Sequence, residues 1–411
     1  MGSRPVEAPP VLPYGRQTID DDDVAAVAAA LRAEYLTTGP AVAAFEEAFA
    51  ARVGAAHAVA CNSGTAALHL SAMALGLGSG DWVVVPSITF VASANVARLV
   101  GAEVQFADVD PERGLMTEAT LDEALREADR MGRRVRAVMP VHLAGRTAPL
   151  AAISEICTRR GLPIVEDACH ALGTTYDAAH GRAGRVGDGR YGRLTAFSLH
   201  PVKTITAGEG GMLTTNDAPL AESARLRRSH GMTRHPAPLR DRELAYDRGG
   251  APNPWYYEIY EPGFNYRIPD VLCALGMSQL GKLDRWVARR RSLAALYDRE
   301  LARLSPVVRP VPPVPGCDPA LHLYAVLIDY TAAGLTRREV MEGLRARGIG
   351  TQVHYIPVHR QPYYRDRYGA RSLAGADAYY ARTLSLPLFP AMRDDDVARV
   401  AESLASVLGK R

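Results

Sequence analysis

Short apolar runs alternate with amphipathic stretches in the first half of the chain. The runs are rich in β-branched and aromatic residues, as expected for strands buried on both faces. They lie at 83–85, 104–106, 137–141, 163–165 and 194–197, and stretches such as 121–131 and 150–160 repeat apolar residues at helical spacing between them. This alternation predicts an α/β domain with a largely parallel sheet covered by helices. Ligands of such sheets bind outside the carboxyl ends of the strands.

The patterns change on either side of this domain. Near the N-terminus a helix with an acidic first turn carries Val24, Val27 and Leu31 on one face. A loop at 233–262, rich in proline, glycine and aromatic residues, precedes a single helix predicted over 269–304. The elements predicted after a proline-rich hinge at 306–319 are a strand at 321–329, a helix at 336–347, a strand-like run at 351–357 and two closing helices.

We therefore expect four parts. Residues 1–40 form an N-terminal arm and helix, and residues 41–270 form the large α/β domain. Residues 271–305 form a connecting helix, and residues 306–411 form a smaller α+β domain.

Composition excludes several classes of protein. The chain has 411 residues, of which 47% are hydrophobic and 23% charged, as in a soluble globular enzyme. A net charge of +3 provides no nucleic-acid footprint, and Arg289-Arg290-Arg291 is interpreted as the solvated face of a helix. The five cysteines are scattered without a CxxC pair, which favours a reducing, cytoplasmic location. Neither a secretory signal nor an apolar run of the ~20 residues that a membrane span needs is recognised.

Lysine is rare in the chain, and one lysine has an unusual setting. The three lysines are Lys203, Lys282 and Lys410, while arginine carries nearly all the remaining positive charge. Lys282 is placed on the polar face of a helix and Lys410 near the end of the sequence. Lys203 follows an apolar strand and lies among Pro, Ile, Thr and Gly. Arginine cannot act as a neutral amine, whereas a desolvated lysine can form an imine. The alternative is a surface lysine on a loop.

Three further motifs follow predicted strands. Gly64 and Thr65 lie in a small, hydroxyl-rich turn that suits a phosphate at a helix N-terminus or simply caps that helix. Asp167 ends a strand, where it can hold a protonated ring nitrogen or cap the next helix. His170 is near it, but no further ligand cluster supports a metal site, so none is predicted. Phe90 either stacks on a ligand ring or is an ordinary core aromatic residue.

The surrounding sequence argues against two classes of enzyme, a Ser-His hydrolase and a dinucleotide-binding enzyme. Ser198 and His200 stand two residues apart, but a hydrolase of that kind would need a GxSxG elbow. The glycine-rich run at 76–80 precedes a strand, whereas a dinucleotide loop follows one. Together, a phosphate cradle, an acid, a hydroxyl and a sequestered lysine match the requirements of pyridoxal 5′-phosphate (PLP).

The chain resembles the nucleotide-sugar aminotransferases of the DegT/DnrJ/EryC1/StrS family. The resemblance runs from Tyr14 to about Arg399 and rests on the motifs at 62–65, 86–95, 166–170, 198–211 and 263–267. It implies the fold-type I architecture of PLP-dependent aminotransferases and a homodimer with shared active sites. It also implies that Gly64, Thr65 and Ser198 bind the cofactor phosphate, Phe90 stacks on the ring, Asp167 holds the pyridine nitrogen, His170 approaches the ring hydroxyl, Lys203 forms the imine and Asn265 reaches the cofactor of the other subunit.

Segments at 200–209, 254–258, 274–280 and 353–358 look like the transaminases of the pseudaminic acid pathway. That subgroup implies L-glutamate as donor and UDP-2-acetamido-2,6-dideoxy-4-ketohexose as acceptor, giving UDP-4-amino-4,6-dideoxy-N-acetyl-altrosamine through a pyridoxamine 5′-phosphate form. Lys203 would move the proton in both half-reactions. The residues expected to bind the substrate are Tyr14, Arg16, Gln17, His200, Trp255, Tyr256, Arg267, His354 and Tyr355, while His322 and Tyr324 are interpreted as packing residues.

Alternatives remain at this point. A dTDP- or GDP-4-ketosugar is a second candidate substrate, for an antibiotic or an O-antigen. Relatives with histidine at the lysine position are sugar dehydratases, and Lys203 favours transamination. A regulator that binds PLP without turnover and a binding module without PLP are the other classes. For Arg16 and Arg267 the alternative to holding a diphosphate is an ordinary surface salt bridge.

Overall fold

The computed structural model describes residues 11–177, 183–234 and 239–410. The α-helices are Asp21–Leu31 (α1), Pro40–Val53 (α2), Gly64–Ala74 (α3), Ala92–Leu99 (α4), Glu118–Arg130 (α5), Leu150–Arg160 (α6), Ala218–Arg228 (α7), Arg242–Ala245 (α8), Asp270–Leu280 (α9), Leu283–Leu301 (α10), Tyr330–Ala333 (α11), Arg337–Ala346 (α12), Pro362–Tyr368 (α13), Ala374–Arg382 (α14) and Asp394–Val407 (α15). The strands are His57–Cys61 (β1), Trp82–Pro86 (β2), Glu103–Ala107 (β3), Val135–Val138 (β4), Val165–Asp167 (β5), Thr175–Asp177 (β6), Ala183–Arg185 (β7), Leu194–Ser198 (β8), Gly211–Thr215 (β9), Met232–Thr233 (β10), Glu258–Ile259 (β11), Val308–Pro310 (β12), Cys317–Asp318 (β13), Tyr324–Ile328 (β14) and Thr383–Leu386 (β15).

One large, mostly parallel sheet organises the first half of the chain. Two groups of strands, β1-β9-β8-β5 and β3-β2-β4, are joined by parallel bridges from Val138 to Ile164 and from Val141 to Asp167. Strand β9 runs antiparallel to both of its neighbours, while β5–β8, β2–β3 and β2–β4 are parallel pairs. The α/β architecture expected from the sequence is confirmed. The carboxyl ends of β5 and β8 lie side by side and carry Asp167 and Ser198.

A second hydrophobic cluster lies in the C-terminal part. Strands β12-β14-β15 form an antiparallel sheet, and α12 and the C-terminal end of α10 pack with α15 around it. Its fully buried members include Val326, Leu384 and Leu404. We propose that residues 306–411 form a smaller α+β domain, joined to the large domain through the helices at 271–305.

The helix predicted over 269–304 is two helices. Helix α9 ends at Leu280, and α10 begins at Leu283 after Gly281 and Lys282. Lys282 is not on a solvated face, because its side chain is only 12% exposed and contacts both Asp20 and Asp23 across to α1. The break lets the lysine reach these two carboxylates at the start of α1.

The prediction that Arg289–Arg291 form a solvated face is wrong for the central residue. Arg290 is completely buried, whereas its neighbours are more exposed and pair with carboxylates. The apolar face predicted for α1 is also wrong. Val24 and Leu31 are exposed, and the helix instead buries Asp23, which accepts hydrogen bonds from α9. Sequence periodicity could not reveal either buried charge, because both are buried through polar partners.

The C-terminal segment also differs from the prediction. Residues 351–357 form no strand and pair with β15 only through a bridge from Gln352 to Ser385. Three α-helices and a strand follow, where two helices were expected. The strand is β15, which completes the C-terminal sheet. Within the residues described, no helix is long and apolar enough to cross a bilayer.

Candidate active site

A cavity of about 520 Å³ lies at the carboxyl ends of β5 and β8. Its wall combines the turn before α3, the ends of both strands and the segment 352–356 from the C-terminal part. The predicted site residues that line it are Tyr14, Gly64, Thr65, Phe90, Asp167, His170, Ser198, His200, Lys203, His354 and Tyr355. The fold thus brings residues that are far apart in the sequence to a single cavity.

The turn before α3 presents free amide groups to this cavity. Ser63 caps the helix, and its Oγ accepts from the amide of Ala66 at 3.1 Å. Gly64 and Thr65 are the first residues of α3, where amides lack an acceptor within the helix. A side chain at Gly64 would place its Cβ 2.8 Å from Cβ of Ser198, so glycine is required for this close approach. The turn and Ser198 together present amide and hydroxyl groups of the kind that suit an anion.

Strand β9 has to pass equally close to this turn. A Cβ at Gly211 would lie 2.1 Å from the carbonyl oxygen of Ser63. Since backbone atoms cannot yield to such a contact, only glycine fits there. Gly211 therefore packs directly against the turn before α3.

Asp167 is buried and held by two donors. The Oγ of Ser93, on α4, donates to Oδ2 at 2.6 Å, and the amide of Cys169 donates to Oδ1 at 3.1 Å. Ser93 is fully buried and also lies 2.6 Å from Oγ1 of Thr89. These contacts fix the carboxylate at the end of β5. The sequence interpretation missed Ser93, although it follows Phe90 by one turn in a motif already singled out.

His170 has a defined tautomer. The amide of Ala144 can only donate, and it does so to Nδ1 at 3.3 Å, which places the ring proton on Nε2. Nε2 then donates to the hydroxyl of Tyr355 at 3.2 Å, and the two rings stack. Burial, with the nearby Lys203, lowers the pKa of His170 well below its usual value. His170 is therefore neutral over the physiological pH range.

Lys203 lies where burial favours its neutral amine. Burial lowers the pKa of Lys203, and Cys169 and Asp167 oppose the shift only in part. The same environment lowers the pKa of His354 to about 3, again mainly through burial. A cavity with a neutral imidazole and an amine of lowered pKa is suited to imine formation and proton transfer.

His322 contributes to the cavity, contrary to the prediction that it simply packs. Its ring lies 4.4 Å from that of His170, centroid to centroid, and burial lowers its pKa well below the usual value. Its Nδ1 is buried without a hydrogen-bond partner in the described part of the chain. The sequence signal was weak, because a histidine beside a buried strand usually packs. Tyr324 packs as predicted and donates to Asp298 at 2.6 Å.

Six predicted residues lie outside this cavity. Arg16 and Gln17 line a small space behind Lys203, and Asn265 is exposed near the turn before α3, where its carbonyl accepts from Asn62 at 3.3 Å. The other three are Trp255, Tyr256 and Arg267. Within the described ranges neither Arg16 nor Arg267 has a carboxylate at ion-pair distance, so the salt-bridge alternative gains no support.

The site residues fit PLP by their chemistry. The free amides of the turn suit a phosphate, the held carboxylate of Asp167 suits a protonated ring nitrogen, and Lys203 supplies an amine. Among the described residues, no group of three or more His, Cys, Asp or Glu side chains is arranged to hold a metal ion.

Comparison with known proteins gives the same interpretation. The model of the DegT/DnrJ/EryC1/StrS aminotransferase family matches residues 17–405. The spore coat polysaccharide biosynthesis protein SpsC of Bacillus subtilis (strain 168) is 38% identical over 400 residues, 97% of both chains.

Two solved structures share the fold. Helicobacter pylori PseC, an aminotransferase involved in the biosynthesis of pseudoaminic acid, matches with a TM-score of 0.84 and 28% identity over 97% of this chain and 99% of its own. DesI, solved with its TDP-sugar product, matches with a TM-score of 0.80 and 31% identity over 97% and 93%. The chain therefore belongs to the DegT/DnrJ/EryC1/StrS family of PLP-dependent sugar aminotransferases.

Proposed function

We propose that this enzyme transfers the amino group of L-glutamate to C4 of UDP-2-acetamido-2,6-dideoxy-4-ketohexose, giving UDP-4-amino-4,6-dideoxy-N-acetyl-altrosamine. The main support for this proposal is that Lys203, an amine of lowered pKa, shares one cavity with the buried carboxylate of Asp167. The likeness of the whole chain to PseC supports the choice of sugar. We further propose a cytoplasmic location, in keeping with five free cysteines.

Four groups of residues would hold the cofactor. Gly64, Thr65 and Ser198 would bind its phosphate, and Asp167 would bind its ring nitrogen. Lys203 would hold its aldehyde carbon. The fourth group is two aromatic rings: Phe90 would stack over the cofactor ring, and His170 would lie beside the ring hydroxyl. When bound, PLP supplies an electron sink for the carbon that loses a proton.

The residues of this chain then have separate tasks. Asp167, held by Ser93, would accept a hydrogen bond from the ring nitrogen and so keep that nitrogen protonated. Neutral Lys203 accepts the proton from Cα of glutamate and delivers it to the cofactor carbon. In the second half-reaction Lys203 returns a proton to C4 of the sugar, and the face from which it does so sets the configuration at C4.

Cationic and aromatic side chains in and around the cavity would bind the nucleotide sugar. Arg16 and Arg267 are candidates for the diphosphate, because a guanidinium matches paired oxygens. Tyr14, His200, His354 and Tyr355 line the cavity and would contact the sugar, with Gln17 near them in the arm.

A second subunit would complete the site. Trp255 is 70% exposed, and Phe264, Leu31 and Val24 also present apolar surface to solvent. Aromatic side chains such as Trp255 and Phe264 are enriched at protein interfaces. We propose a homodimer in which Trp255, Tyr256 and Asn265 of one chain contact the active site of the other.

One experiment tests the reaction and the nucleotide together. The purified enzyme, loaded with pyridoxamine 5′-phosphate, is offered the UDP-, dTDP- and GDP-linked 4-ketosugars in parallel, and return of the PLP absorbance is followed. We expect the fastest return with the UDP sugar. Deoxygenation of the sugar without amine formation would instead indicate a dehydratase, and no reaction with any sugar would indicate a regulator.

The role of Lys203 is tested in the same assay. We expect Lys203→Ala to fold and to retain cofactor without catalysing repeated turnovers. Sustained transamination by this variant would refute the mechanism.

A TDP-linked sugar is the second candidate substrate. DesI was solved with a TDP-sugar product and is 31% identical to this chain, slightly more than PseC. Preference for the dTDP sugar in the parallel assay would favour this candidate without affecting the assignment of Lys203.

A further inference from the structure

Arg290 lies behind the active site, where it contacts no carboxylate of the described part of the chain. It is completely buried on α10, and within the described ranges its charge has no ion-pair partner. Burial alone lowers its pKa, to about 10. A buried charge without a counter-ion costs stability, and an apolar residue of similar size is often better for the fold. The position of this guanidinium therefore calls for a reason other than stability.

Its contacts are backbone carbonyls from three separate segments. Nη2 donates to the carbonyl oxygen of Lys203 at 3.3 Å. Nη1 donates to those of His322 at 3.1 Å and Leu388 at 2.9 Å, with Leu321 at 3.5 Å. The planar guanidinium thus joins the loop after β8 to the residues just before β14 and to those just after β15.

Each joined segment leads directly to the active-site cavity. Lys203 and His322 line it themselves, and the amide of Leu388 donates to the carbonyl oxygen of Tyr14, another lining residue, at 3.0 Å. The guanidinium fork fixes the distance between these carbonyls, because its donors lie in one plane. Among the described residues, no other side-chain hydrogen bond joins the peptide of Lys203 to the C-terminal part.

We propose that Arg290 is a positioning residue that fixes the peptide of Lys203 relative to His322 and Tyr14. Its role in catalysis rests on the function proposed for Lys203, whereas its role in ordering the backbone does not. It is not among the residues that line the active-site cavity. Its effect is to keep the amine within reach of the carbons between which a proton moves.

Arg291 provides a matched control on the same helix. It also donates to two backbone carbonyls, those of Pro319 at 2.9 Å and Asp318 at 3.0 Å, and neither residue lines the cavity. Arg290→Lys and Arg291→Lys each keep the charge and lose the planar fork. Both variants are expected to lose some stability. Only Arg290→Lys is expected to alter the position and the reactivity of Lys203.

The first measurement is amide hydrogen exchange of the protein without cofactor. The amides of Lys203 and Ala207 are bonded to the carbonyls of His200 and Leu199, each at 2.9 Å, and report on the order of this loop. We expect Arg290→Lys to speed their exchange by about tenfold, as for the loss of one buried hydrogen bond. Arg291→Lys should leave these amides unchanged. Equal exchange in the two variants would overturn the proposal.

The second measurement uses the loaded enzyme. We expect Arg290→Lys to slow single-turnover transfer from glutamate by about ten- to a hundredfold through misalignment, with little change in KM. It should also displace the pH midpoint of the cofactor's visible absorbance, which Arg291→Lys should not do. If the wild-type enzyme shows neither visible absorbance nor transfer, the proposed function fails, while the exchange data still decide the role of Arg290.

A third measurement needs no variant and applies if Arg290→Lys does not fold. In wild-type protein under mild denaturant, the amides of Lys203, His322 and Leu388 should exchange through one shared opening, since one side chain joins their segments. Independent opening of the three segments would overturn the proposal.

Discussion

Replacing Gly64 with alanine tests the geometry of the anion site most directly. The added Cβ would lie 2.8 Å from Cβ of Ser198 and 3.0 Å from Sγ of Cys169. Gly64 does not have a positive φ, and alanine is the better helix former, so the backbone itself does not oppose the change. The cost comes from these contacts and from a third, with the backbone Cα of Ser198 at 3.2 Å.

The size of the effect follows from the contact that cannot relax. Ser198 ends β8, which is paired on both sides, so its Cβ can move only if the strand end moves. Overpacking of this kind costs about 1–3 kcal/mol, and 1.4 kcal/mol corresponds to tenfold in an equilibrium constant. Because the Ser198 side chain is a proposed ligand of the phosphate, displacing Ser198 should weaken PLP binding by about five- to 150-fold.

The assay is titration of the cofactor-free enzyme with PLP, with the melting temperature measured in parallel. Gly78→Ala is the control, because a Cβ there has nothing closer than a backbone oxygen at 3.9 Å. We expect unchanged affinity for the control. Wild-type affinity in Gly64→Ala would refute the inference that the turn and Ser198 form one rigid anion site.

Three further predictions concern contacts around the site and at the start of α1. Ser93→Ala removes a charge-assisted hydrogen bond from Asp167 and should lower kcat by about ten- to a hundredfold without loss of fold; a wild-type kcat would exclude a role in holding that carboxylate. Tyr355→Phe removes the weaker bond to His170 and should cost about fivefold in kcat/KM, and a larger loss would mean that the hydroxyl acts on substrate. Hydrogen bonding from Lys282 lowers the pKa of Asp20 from 3.8 to about 2. A depressed pKa stabilises the fold above pH 3.8, and this contribution is lost as the pH falls toward 2. Lys282→Met should therefore flatten the pH dependence of unfolding in that window, and an unchanged slope would contradict the assignment.

Local chemistry made much of the active site predictable. Small residues and hydroxyls after a strand suit either a phosphate or a helix cap, and it was the resemblance to the family that implied Gly64, Thr65 and Ser198 as phosphate ligands. Lys203 stood out because arginine replaces lysine almost everywhere else in this chain. The alternating pattern of strands and helices was likewise enough for the α/β architecture.

Long-range polar burial was not predictable. Arg290 and Lys282 have the sequence environment of ordinary helix surfaces, and their burial depends on carbonyls and carboxylates that the fold brings from elsewhere. Asp23 is buried for the same reason. Hydrophobic periodicity reflects apolar packing alone. It therefore predicted that the apolar residues of α1 are buried, whereas Val24 is exposed.

The scarcity of lysine has a practical consequence for chemical modification. Lys203 lies within the active-site cavity and Lys282 is engaged by two carboxylates, whereas Lys410 is exposed. Amine-reactive reagents should therefore modify the side chain of Lys410 and spare the other two. Coupling of this enzyme to a solid support through lysine side chains would therefore proceed through Lys410 and leave Lys203 unmodified.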